Sequence, residues 1–100
     1  MAEPDSGQSS SEKPIDVYEA LASMLDFFSS IAWQKMGLHP DLATGKIVKD
    51  MAQAKVAVDV SASLAGFLEP ALDDDADRRR VQNLVRDLRI NYVEKAGGDK

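Results

Sequence analysis

The sequence contains no cysteine, which excludes a disulfide framework and any thiolate metal centre. Its one histidine, His39, cannot build a histidine-rich metal site. Basic residues are outnumbered 17 to 12, and the net charge of −5 leaves no basic footprint for non-specific binding of nucleic acid. An uninterrupted apolar run is also missing. The longest candidate, Ile15–Leu38, is broken by Glu19, Asp26 and Lys35, and a carboxylate at its centre would be costly in hydrocarbon, so no membrane span is expected. The first residues carry neither a basic stretch nor an apolar one, so they do not read as a secretory signal, and the expected location is the cytoplasm.

What is present is globular in character. The chain is 100 residues long, one domain at most, with 29% charged and 44% hydrophobic residues. Residues 1–14 are rich in Ser, Gly, Glu and Pro and cannot bury enough surface to offset their ordering entropy, which predicts a disordered tail. A helical domain is expected over 15–96 and a flexible C-terminus over 97–100.

The first helix organises the rest. From Ile15 to Leu38 its polar positions, Glu19, Ser23, Asp26, Ser30 and Gln34, recur at three- and four-residue steps as one stripe. Val17, Leu21, Met24, Leu25, Phe27, Phe28, Ile31 and Trp33 fill most of the remainder. A surface helix needs an apolar arc of about 100°; this one has roughly twice that, and must be covered from two sides. Leu21, Met24, Leu25, Phe28, Ile31 and Trp33 are the expected interface residues. Asp16 and Glu19 have capping-box spacing at its start, Gly37 suits the position just past its end, and Lys35 suits the negative end of the helix dipole.

The connection Leu38–Lys49 carries the turn signals Pro40-Asp41 and Thr44-Gly45. Ile47 and Val48 are expected to dip toward the core as a short extended piece. A phosphate-loop reading fails, because Gly45-Lys46 is followed by Ile47 rather than Ser or Thr, and no apolar strand leads in.

A second helix is predicted from Asp50, with Gln53 completing another capping-box pattern, to about Leu68, where Pro70 discourages continuation. It has two apolar faces. Val56, Val60, Leu64 and Phe67 are large; Ala54, Val58, Ser61 and Ala65 are small, and allow the axis of another helix to come close. Helix 1 is the expected neighbour, antiparallel, because the joining loop is short. A third helix begins within Leu72–Asp77, where aspartates meet the positive dipole end, and buries the stripe Val81, Leu84, Val85, Leu88 and Tyr92 before Gly97-Gly98 ends it. Ile90 and Val93 lie off that stripe and need a partner or stay exposed.

No reaction class emerges. Arg78–Arg80 could contact phosphate, but the aspartates of 73–77 stand beside it and cancel its field. Trp33, Phe27 and Phe28 could line a ligand pocket, though aromatic residues favour core or subunit interface anyway. His39 lacks a held carboxylate partner other than Asp41 in the same turn, and Asp26 has no second carboxylate at a defined spacing. No catalytic, cofactor-binding or metal-ligating residue is assigned.

Three segments taken together carry a resemblance. They are Trp33-Gln34-Lys35-Met36-Gly37-Leu38 running into Pro40 and Thr44-Gly45-Lys46; Asp50 with Gln53-Ala54-Lys55 and Asp59; and Asn83-Leu84, Asp87-Leu88-Arg89 and Asn91-Tyr92-Val93. In this order they resemble the bacterial domain of unknown function 1844 family, over about Val17–Lys95. The resemblance implies a cytosolic, all-helical bacterial protein, with no established activity and no catalytic residues to carry over.

The expectation is therefore an all-α, three-helix domain, two long antiparallel helices plus a C-terminal helix, behind a disordered N-terminal tail. Its expected role is non-enzymatic self-association, as a dimer, without cofactor, nucleic acid or membrane. Two alternatives stand beside it: an adaptor that binds a different protein, such as part of the translation or transcription machinery, and a small-molecule-binding protein with a pocket near Trp33.

Overall fold

The structure, a computed structural model, describes residues 13–98; most of the expected tail lies outside the described residues. Three helices follow one another: α1 (Val17–Lys35), α2 (Met51–Leu68) and α3 (Asp75–Gly98), with a short 3-10 turn, Glu69–Ala71, between the last two. The described residues contain no strand.

Each start has its cap. Asp16 accepts hydrogen bonds from the backbone N–H groups of Tyr18 and Glu19, and Asp50 from that of Gln53, so donors that no helical carbonyl reaches are satisfied. Asp74 does the same for Ala76 at the start of α3. The end of α1 is a Schellman motif: Gly37, at φ +82°, donates to the Gln34 carbonyl and Leu38 to the Trp33 carbonyl. Pro70 sits in the 3-10 turn that ends α2. The end of α3 differs from expectation, since the helix runs on through Gly97 and Gly98. Glycine stops a helix by taking positive φ, and among the described glycines only Gly37 and Gly45 do so.

α1 and α2 form an antiparallel hairpin. Near its closed end Ala32 and Met36 of α1 pack with Ala54, Ala57 and Val58 of α2, and near its open end Leu25 packs with Ala65 and Leu68. The small face of α2 is the contact: Ala54, Val58, Ser61 and Ala65 are all buried. α3 returns antiparallel to α2 and lies mostly against it, with Leu88 fully buried and Val81, Leu84, Val85 and Tyr92 completing its stripe. The hairpin is closed by the Asp50 N–H donating to the Lys35 carbonyl at 2.8 Å.

The loop does not send an extended piece inward. Ile47 and Val48 stay exposed, contrary to expectation. Residues 41–46 bond among themselves instead, with the Asp41 N–H on the Lys46 carbonyl and the Gly45 N–H on the Asp41 carbonyl. Met36, Leu38 and Met51 already fill the space at that end of the core.

Candidate functional site

The core has an inverted size distribution. Its buried apolar members are four alanines and Leu25, Met36, Val58, Leu68 and Leu88, while Phe27, Phe67, Met24, Val17 and Val56 face water. Their exposures are 59%, 71%, 49%, 59% and 62%. Single exposed apolar residues need no explanation, but these five are not scattered. Val17, Met24, Phe27 and Ile31 repeat at seven-, three- and four-residue steps along α1, and Val56, Val60 and Phe67 at four- and seven-residue steps along α2. Such spacing makes one stripe on each helix.

Both stripes lie on the same side of the hairpin. At about 100° per residue, each exposed stripe is displaced from its helix's buried face by about 130°, in the same rotational sense. Because the two helices run antiparallel, equal displacements of one sense bring the stripes to one face. Ala22 of α1 and Ala62 of α2 are displaced the other way and stand beside Val81, Leu84 and Val85 of α3. So α3 covers one side of the hairpin and leaves the other as an open apolar face. Phe27 and Phe28 meet edge to face, centroids 5.6 Å apart, which holds the aromatic centre of that face.

The expected interface residues divide. Met24 is on the open face, and Phe28 and Ile31 are partly buried at its edge. Leu25 belongs to the intramolecular core, with Leu21 packed against the same cluster. Trp33 packs on the other cluster, its ring centroid 6.3 Å from that of His39. Phe67 and Val56, on the large face of α2, join the surface from outside the expected set; their four- and seven-residue spacing was the signal that could have found them.

Several polar groups elsewhere tie the fold together. Gln34, expected on the solvated stripe, is buried: its side-chain N–H donates to Ser30 Oγ at 3.1 Å and its Oε1 accepts from the Leu42 N–H at 3.1 Å. It ties the loop onto α1. Arg78 pairs with Asp75 and donates to the Leu72 carbonyl, and Arg80 lies 3.1 Å from Asp77, so the arginine run is tied to its neighbouring aspartates. Lys55 is held above its ordinary pKa by its bond to Asp59. Among the described residues no group of three or more histidine or acidic side chains could hold a metal ion, and no helix is long and apolar enough to cross a membrane.

Charge is unequal along the molecule. The open end of the hairpin carries seven carboxylates, Asp16, Glu19, Glu69 and the four of 73–77, against four cations, Lys13 and Arg78–Arg80. The loop end carries three lysines, Lys35, Lys46 and Lys49, against Asp41 and Asp50. One end is net acidic and the other slightly basic.

Fold and surface together define a small helical protein whose hairpin is covered on one face and open on the other. The chain belongs to the family described as Domain of unknown function (DUF1844), whose model matches residues 18–94. No curated protein and no solved structure matches it.

Proposed function

We propose that this protein is a self-associating helical interaction module without catalytic activity, and that the open face of α1 and α2 is where copies join. The observation that carries the reading is the reversal of sizes: alanines inside, phenylalanines outside. A small domain is only marginally stable, at about 0.05–0.15 kcal/mol per residue, and this core is poor in large side chains. Joining a second copy adds the missing large residues to a buried interior. A cytoplasmic setting goes with the family resemblance.

Light scattering of the purified chain across micromolar concentrations tests this. The expected result is a dimer mass, and a Phe27→Glu, Phe67→Glu double variant should weaken association by about 100-fold or more, since it buries two unpaired charges from each copy. A wild-type monomer throughout the range overturns self-association and leaves the face to a different protein, the adaptor reading.

A further inference from the structure

We infer that two copies join face to face with their loop ends at opposite ends of the dimer, α1 lying antiparallel on α1 of the partner subunit. This rests on the self-association reading and adds its geometry. A closed dimer is isologous, so the same face must serve both copies. Two flat faces can be stacked by a two-fold axis in only two main ways. An axis along the helices sets α1 over α2 of the other copy and brings the two loop ends together. An axis across the helices sets α1 over α1 and α2 over α2, with each loop end above the other copy's open end.

Both arrangements bury the same apolar stripes. The five exposed residues of the two stripes, Val17, Met24, Phe27, Val56 and Phe67, present on the order of 500 Å², and with Phe28, Ile31, Val60, Leu64 and the rim they approach the roughly 800 Å² per partner that a stable interface needs. The apolar contribution therefore does not choose between them, and a smaller effect decides. Charge is that effect. With loop ends together, two open ends that are each net acidic, seven carboxylates against four cations, lie next to each other. With loop ends apart, each acidic end meets the lysines at the other copy's loop end. Lys35 is in register with this: it lies one heptad beyond Phe28 on α1, at the end of the apolar face, and an antiparallel α1 pair sets it opposite the Asp16 end. Like-charge juxtaposition is the costly outcome in an interface, and opposed signs fix orientation.

The chain has no cysteine, so a single engineered thiol gives a clean label. Leu42 is 82% exposed at the loop end, in the connection and outside both α1 and α2. A spin label on Leu42→Cys, read by pulsed dipolar spectroscopy on the full chain, measures the loop-to-loop distance. α1 alone spans about 28 Å, so loop ends apart predict a distance above about 30 Å, and loop ends together one below about 20 Å. A short distance overturns the proposed order and leaves self-association standing. No intermolecular signal at concentrations that saturate any dimer overturns both. Salt supplies an independent reading: raising it from 0.05 to 0.5 M should weaken the dimer several-fold if unlike ends meet, and a strengthened dimer overturns the order.

Discussion

Ser61 is fully buried at the α1–α2 contact, its Oγ donating to the Ala57 carbonyl at 2.8 Å. Its neighbours are small, so there is no space for a longer side chain. Ser61→Leu should cost about 1–3 kcal/mol by overpacking. Because the contact lies within one chain, thermal melting should fall at every protein concentration; a loss seen only on dilution would place this face between subunits. Gln34 gives a second test. Gln34→Ala removes the acceptor for the Leu42 N–H and the donor to Ser30, and should cost about 1–2 kcal/mol in denaturant melts. Loop amides near Leu42 should also lose protection from hydrogen exchange. These two residues differ in legibility. Ser61 was readable, because helical spacing puts it among Ala54, Val58 and Ala65. Gln34 was not: periodicity put it on the polar stripe with Glu19 and Asp26, and only the loop folding back over α1 buries it. Spacing along one helix reports on that helix's faces and carries no information about a segment that returns to cover one of them.

At the scale of elements, starts and stops were the most readable part. Asp16, Asp50 and Gly37 work by local chemistry, a carboxylate reaching free N–H groups or a residue without a β-carbon turning the chain, and local chemistry is written in consecutive residues. Gly37→Ala should cost about 1 kcal/mol in a melt, through its φ of +82°. Space is not the issue there, since an added β-carbon would meet Lys49 side-chain atoms at an ordinary 3.5 Å. Gly66→Ala, inside α2 with open space around it, should stabilise by a similar amount, so the pair separates backbone conformation from crowding. What was less readable at this scale is where irregular chain goes. Ile47 and Val48 looked like core by hydrophobicity, yet the bonds within 41–46 close the loop upon itself and leave them in water.

For the whole molecule, the sequence already implied that α1 carries more apolar surface than one neighbour can cover, and the structure divides that surface. Leu25, Ala32 and Met36 turn to α2, while Val17, Met24 and Phe27 turn away from it. Which residues fall on which side depends on where α3 packs, and that is a choice among long-range contacts which no local pattern records. The division leads to a prediction about cooperativity. If folding and association are linked, wild-type melting should depend on concentration, because native dimer is drawn from unfolded chains by mass action. A tenfold rise in concentration is worth about 1.4 kcal/mol shared between two chains, or about 3–6 °C in melting temperature for a domain of this length. Leu88→Ala empties a fully buried site in the monomer and should lower melting by an amount equivalent to about 2–5 kcal/mol while keeping the concentration dependence. The Phe27→Glu, Phe67→Glu double variant should do the reverse. Both residues are well exposed in the single chain, so monomer packing is barely touched, but the slope of melting temperature against concentration should vanish. Calorimetry over a hundredfold range of concentration measures both quantities, and a slope unchanged in the double variant would move the contact between copies away from this face.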